Sequence, residues 1–464
     1  MIANQGTADA MMKELERGFT GQLLAPQDPG YDDARKVYNA MIDRRPALIA
    51  RCADARDVAR TIGFARTHDL PLAVRGGGHS GPGLGICDDG VVAELSLLNE
   101  ITVNPETLTA RVGGGCTWGQ IDRATHAHGL TTPSGFISTT GVGGLTLGGG
   151  IGYLTRRYGL TIDNLLGADL VLADGTLVRA SAEEHPDLFW AIRGGGGNFG
   201  VVTSFQFALH PVSTVLAGPT FWLLEQTEQV MRAYREFIPA APRELNGFLA
   251  LLTVPPAPPF PEELHLRKVC GIVWCYDGPA DQAPGVLAPM LEVAEPLLHT
   301  VGPMPYPEFQ SMFDALYPPG LQWYWRADFV RDISDEAIDR HAEFGARLPT
   351  LHSTMHLYPI DGAAHDVGAA ETAFSYRDAN WAQVIVGVDP DPANADAIRQ
   401  WTVDYWDATH PYSAGGAYVN FLMHEGQDRV RASYRDNYKR LTEIKAAYDP
   451  DNVFHINQNI APQA

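Results

Sequence analysis

The sequence predicts an α+β protein in two unlike parts, and three observations carry that reading. Before His210-Pro211, short apolar runs of strand length alternate with segments of helical period, and the glycine clusters lie between them. After it the glycine clusters vanish, and Pro/aromatic loops separate amphipathic segments. Strands are expected there at Phe248–Thr253, Lys268–Cys275, Leu351–Tyr358 and Trp381–Val388, with helices at Leu224–Phe237, Glu336–Arg347 and Ala393–Ala408. That alternation suits an antiparallel sheet with helices on one face. At 464 residues and 45% hydrophobic, the chain can bury two or three large cores.

The elements of the first part follow in order. Met12, Leu15, Phe19 and Leu23 recur at helical spacing, so a helix is expected over Ala8–Leu24. Ala47–Cys52 reads as a strand and Asp54–His68 as an amphipathic helix. Asp69–Val74 is a short buried strand running into a glycine loop. Gly90–Leu95 and Thr109–Gly113 are strand-like, with Asn104–Thr107 as a turn before the second, and Trp118–His128 is a helix. Leu170–Arg179 is a hairpin turning at Asp174-Gly175, and Pro186–Arg193 a short helix. In the tail, Asp428–Lys445 is one more helix. Pro255–Pro259 is a rigid polyproline surface loop.

Charge and cysteine usage exclude several function classes. A formal net charge of −21 repels polyanions, so neither nucleic acid nor an anionic membrane is an expected partner. The five cysteines (Cys52, Cys87, Cys116, Cys270, Cys275) are odd in number and dispersed, which suits reduced, buried thiols rather than a disulfide framework or a zinc site. The first residues lack the basic and apolar regions of a signal peptide, and no run of 18 apolar residues occurs, so a soluble, cytoplasmic protein is expected.

Three glycine loops carry the functional signal. The first, Arg75-Gly76-Gly77-Gly78-His79-Ser80, follows a strand. Its consecutive N–H groups can form a concavity for phosphate oxygens, with His79 as its reactive side chain. The alternative is a glycine-rich turn with an ordinary histidine. The second, Gly135–Gly152, has eight glycines in eighteen residues, and is read as backbone laid against a flat ligand or as a close-packed turn between sheets. The third is Gly194–Gly200. Gly76–Gly81 and Gly195–Gly200 both match G-x-G-x-x-G, but loop follows the first and strand the second. The helix that a dinucleotide fingerprint requires is missing in each case, which excludes a Rossmann site.

The three loops in this order, Val74–Ser80, Thr140–Gly152 and Arg193–Val202, together with Tyr418–Phe421 and the tail Lys445–Phe454, resemble the berberine-bridge-enzyme-like FAD-linked oxidases of the vanillyl-alcohol-oxidase/PCMH superfamily, most of all their bacterial members. The resemblance spans nearly the whole chain. It implies a PCMH-type FAD-binding domain of two α+β subdomains over 1–212, a substrate domain over 213–416, and a segment 417–464 returning to the first. It implies FAD covalently bound through its 8α-methyl to His79. Arg75, Gly76, Gly77, Gly78 and Ser80 would hold the pyrophosphate. Gly135, Thr140, Gly141, Gly144, Gly148, Gly149, Gly150 and Gly152 would run along the cofactor. Gly197, Gly200 and Val202 would approach the adenine, and Asn457 would reach the flavin from the tail. Relatives with doubly attached flavin carry a cysteine where this chain has Ile137, so no cysteinyl link is implied, and Cys116 is taken as structural.

The chemistry implied is hydride removal from a C–H bearing OH or NH, on an alcohol, sugar, cyclic amine or phenolic, with O2 as acceptor and no metal. A dehydrogenase using another acceptor, or a non-catalytic flavin-binding protein, are the alternatives. Loss of hydride requires a proton acceptor or hydrogen-bond partner. Tyr418 and Asn420, two apart on an expected strand and so on one side, are candidates; both can equally be polar sheet residues. Tyr418 needs a nearby Lys or Arg, or the flavin itself, to act as a base and otherwise serves as a hydrogen-bond partner, and Asn420 can only orient. Tyr324 is the third catalytic candidate, at the centre of Gln322–Arg326, a stretch that offers an aromatic wall or a packed core. His352 and His356 offer substrate ligands or structural histidines.

Overall fold

The computed structural model describes residues 12–463. Among these, the strands form sheets of four, five and eight. In the first, Leu48–Arg51, Val91–Glu94 and Leu72–Arg75 run parallel, and Gln22–Leu24 is added antiparallel at the edge. Its parallel strands are apolar on both faces because both are covered, as the near-continuous burial of Val91–Glu94 shows. The helix Ala55–Thr67 packs on one face, started by Asp54, whose carboxylate accepts the N–H groups of Arg56 and Asp57. The expected first helix lies partly outside the described residues. From Met12 it runs only to Glu16, and Leu23 belongs to the edge strand, paired with Ala50.

The second sheet is antiparallel, in the order Ile101–Asn104, Thr109–Gly113, Val201–Ala208, Leu165–Val171, Leu177–Ser181. Gly175 turns the last hairpin at φ +86, where a side chain would be strained.

The third sheet takes all its strands from beyond Pro211. Its order is Leu298–His299, Thr214–Leu223, Lys268–Tyr276, Leu245–Thr253, Thr354–Pro359, Trp381–Asp389, Gln322–Val330, with Gly302–Pro305 also paired to the second of these. One face packs on Thr227–Ala240, Ala283–Leu291, Asp335–Gly345 and Ala395–Thr409 through residues such as Trp274, Ile272, Met355 and Ile385. The other face, with Phe248, Val273, Val384 and Trp323, looks back toward the glycine loops. The strand period of two separates these sets, and Cys270 and Cys275 fall into opposite ones. The strands Thr214–Leu223 and Gln322–Val330 went unread in the sequence.

Two buried ion pairs fasten the halves. Arg156 reaches Asp361 at 2.7 Å and the carbonyl of Pro242 at 3.0 Å. Arg377 grips Asp163 with two bonds of 2.7 Å, the fork geometry that only arginine provides. The tail is two helices, Gln427–Tyr434 and Asn437–Tyr448, because the chain breaks at Arg435 with φ +47. All five cysteines are buried and unpaired; among the described residues no metal-ligating cluster occurs and no helix is long and apolar enough to cross a membrane.

Candidate active site

A cavity of about 850 Å³ runs between the glycine loops and the free face of the large sheet. Its loop wall begins where Leu72–Arg75 ends. Gly77 abuts Gly141 so closely that a Cβ on either would come within 2.4 Å of the other's backbone nitrogen. Only two glycines can bring these loops together. The N–H groups of Gly77, Gly78, His79 and Ser80 have no acceptor among the described residues, and Nη1 of the buried Arg75 is likewise unpartnered. A row of unpaired donors beside a guanidinium is chemically suited to an anionic group such as a pyrophosphate. Gly144 faces open space, with nothing within 4 Å of a Cβ built on it. The residues present therefore fit FAD.

His79 stands in this wall. Its ring stacks on Tyr38 at 3.9 Å, and its two nitrogens lie 3.0 Å from the Thr139 hydroxyl and 3.4 Å from that of Thr140. Burial pushes its pKa down to about 4, so the imidazole is neutral and keeps a lone pair at physiological pH. Asn39, next to Tyr38, bonds both Gly81 (2.8 Å) and Trp323 (3.0 Å), tying the loop to the large sheet. Neither Tyr38 nor Asn39 carried a sequence signal, since both sit in an irregular connection.

The remaining expected cofactor residues divide. Gly135, Thr140, Gly141, Gly197, Gly200, Val202 and Asn457 line the cavity, and Asn457 Nδ2 donates to the Gly197 carbonyl at 3.0 Å. Gly148, Gly149, Gly150 and Gly152 do not. A Cβ on them would strike Asn420 (2.3 Å), Phe374 (2.9 Å), Thr161 (2.0 Å) and the Ser134 carbonyl (1.8 Å). These four are held to glycine by close packing, and none is in the cavity wall. The stretch also contains a helix, Val142–Gly148, that its glycine content hid.

Tyr418 and Asn420 are brought together, but not by a strand. Tyr418 precedes the 3-10 turn Val419–Phe421. Its hydroxyl accepts from the Gly150 N–H (2.9 Å) and from Asn420 Nδ2 (2.7 Å), and lies 3.4 Å from the Leu145 carbonyl. Asn420 Nδ2 is also 3.1 Å and 3.2 Å from the carbonyls of Gly144 and Leu145. The pair meets the Leu145 carbonyl, one of the last four that the helix Val142–Gly148 cannot bond internally. Burial raises the Tyr418 pKa to about 12.

Tyr324 is misplaced by the sequence reading. It points away from the cavity toward the guanidinium of Arg399, 4.9 Å from its ring. Its neighbours Trp323 and Trp325 line the cavity instead, as strand alternation requires. Phe136, Ile137, Phe248, His356 and Tyr358 complete the aromatic side, while His352 lies before its strand. Cys116 is not in the cavity wall; its thiol approaches the Glu100 carbonyl.

The comparisons with known proteins give the family. The FAD binding domain family matches residues 46–181, and the family described as berberine and berberine like matches 417–461. An uncharacterized FAD-linked oxidoreductase of Bacillus subtilis, YgaK, is 32% identical over 96% of this chain and 97% of its own. The chain belongs to the berberine-bridge-enzyme-like FAD-linked oxidoreductases. It is an FAD-dependent enzyme of that family. (R)-6-hydroxynicotine oxidase of Paenarthrobacter nicotinovorans is 40% identical over 203 residues, 44% of each chain. The crystal structure of 6-hydroxy-D-nicotine oxidase from Arthrobacter nicotinovorans superposes with a TM-score of 0.85 at 25% identity, covering 96% of this chain and 99% of that one. The α+β architecture of this oxidoreductase family is thus the one read from the glycine loops.

Proposed function

We propose that the protein is an oxidase that removes hydride from a C–H bearing OH or NH on a small, flat, largely apolar substrate and passes the electrons to O2. FAD supplies the hydride acceptor when bound. The observation that carries the reading is the continuity of the cavity: one wall is glycine loop, His79 and Arg75, the other an aromatic sheet face. No Asp, Glu, Lys or Cys lines it, so a charged substrate would find no counter-ion on the sheet side.

Each wall has its own task in this reading. Residues 1–212 and 417–464 bind the cofactor, and 213–416 cover the substrate. His79, neutral and clamped by Thr139, Thr140 and Tyr38, carries the 8α-histidyl bond. Ile137 has no nucleophile and allows no second one. Tyr418 and Asn420 hold the helix that lies along the cofactor. Trp323, Trp325 and Phe248 exclude water and orient the ring of the substrate.

The test is anaerobic mixing of holoenzyme with a panel of aryl alcohols, phenolics and cyclic amines, followed by admission of air. Bleaching of the flavin and rapid recovery with peroxide release support the oxidase. Bleaching with slow recovery in air and fast recovery with a quinone would make it a dehydrogenase.

A further inference from the structure

The polar groups on the sheet side of the cavity are few, and two are adjacent. His356 and Tyr358 are two apart on Thr354–Pro359, so both side chains leave the same face. His356 Nδ1 is hydrogen bonded to the Tyr358 hydroxyl. Across the ladder His356 is flanked by Ala250 and Val384, side chains too short to cover the imidazole. Its Nε2 has no partner among the described residues, and the ring lines the cavity, half-buried. Aromatic surfaces surround it: Phe248 at 5.1 Å from the imidazole, and Phe136 stacked on Tyr358 at 4.1 Å.

Trp323 and Trp325 offer unpartnered indole N–H groups, which donate only, and the other hydroxyls and bases near the sheet are engaged. The Tyr418 hydroxyl is held by Gly150 and Asn420. Tyr38 donates to the Tyr317 carbonyl at 2.6 Å. Arg75 and His79 belong to the cofactor loop. That leaves His356 as the basic side chain on the sheet side.

The geometry points to His356 and Tyr358 as the anchor for the O–H or N–H of a flat aromatic substrate. The anchor rests on the substrate-oxidising reading above, in which it orients the ring of the substrate whose C–H is lost. In the tautomer that leaves Nε2 bare, Nδ1–H donates to the Tyr358 oxygen, and the hydrogen of Tyr358 is free as a donor beside it. Nε2 then accepts the ligand's hydrogen while Phe136 and Phe248 flank its ring. A ligand without that hydrogen leaves a buried nitrogen unpaired, and such a loss discriminates more strongly than any apolar contact.

The test needs no turnover. Calorimetric titration of the holoenzyme compares 4-ethylphenol with 1-ethyl-4-fluorobenzene, similar in shape but without a donor. The expected result is binding of the phenol about tenfold more tightly. His356→Leu should abolish that preference while keeping affinity for the fluorinated ring, and Tyr358→Phe should reduce it. Failure of the wild type to bind the phenol, equal binding of the two probes, or an undiminished preference in His356→Leu each overturns the anchor. The wild-type comparison decides by itself if His356→Leu does not fold, and His356→Ala serves as the second variant. A protein that discriminates the probes yet releases no peroxide with any donor keeps the anchor and loses the oxidase reading; the reverse pattern loses the anchor alone.

Discussion

Asn420 Nδ2 donates to the Tyr418 hydroxyl at 2.7 Å, and the same hydroxyl takes the Gly150 N–H at 2.9 Å. In the proposed reading a phenol so engaged, with burial raising its pKa to about 12 and no cation bonded to it, holds structure rather than protons. Tyr418→Phe should therefore cost about 1–3 kcal/mol of stability, the penalty for unpairing buried donors. The pH profile of flavin reduction should keep its shape. Thermal melts and stopped-flow reduction across pH check both; a lost pH limb in the variant would restore Tyr418 as a base.

The two kinds of glycine should respond differently to one methyl group. Gly77→Ala drives a Cβ to 2.4 Å from the Gly141 nitrogen, whereas Gly144→Ala meets no protein atom within 4 Å. Gly77→Ala should lower the melting temperature of the apoprotein. Gly144→Ala should leave it unchanged or raise it, since alanine favours a helix by about 0.5–1 kcal/mol, while weakening FAD retention. Melting the two variants with and without added FAD separates the effects.

Strand alternation makes a third prediction. Tyr324→Phe should be silent in flavin spectrum, ligand affinity and turnover, because its ring faces Arg399. Trp325→Ala should enlarge the cavity and weaken ligand binding, because Trp325 lines it. Equilibrium titration with 4-ethylphenol measures both.

Histidines withdrawn from water set the acid limit of stability. Burial depresses the pKa of His210 to about 4, and of His341 and His356 to about 3. The unfolded chain takes up these protons near pH 6.5. Their contribution is therefore fully present above about pH 6.5, declines as pH falls, and is lost on passing the folded-state values. Each such group steepens the decline by up to about 1.4 kcal/mol per pH unit. His341→Gln, which can still bond Tyr405, should reduce the slope of stability between pH 6 and 4.5 by one proton's worth in urea titrations.

The parts legible in the sequence were those where a residue type is forced by local geometry. The glycine loop around Gly77 can be built only from glycine, and its pairing with His79 was readable. Asp54 and the Asp174-Gly175 turn announced their elements. What stayed hidden depends on long-range pairing. Whether Tyr324 or Trp325 faces the cavity is a matter of register against Trp381–Asp389, and nothing local states it. Gly148–Gly152 looked like ligand backbone because close packing against Thr161, Phe374 and Asn420 demands the same residue. Tyr38 came to the site through a loop with no pattern at all, and Asn420 looked like a strand residue because its two-residue spacing from Tyr418 is shared by a turn.

The role of His79 is the central claim, and one measurement tests it most directly. The protein is precipitated in acid and digested, and the peptide containing His79 is weighed. A single FAD mass on that peptide, lost in His79→Ala while the variant still folds, is the predicted result. FAD released wholly into the supernatant, or found on another residue, would contradict it.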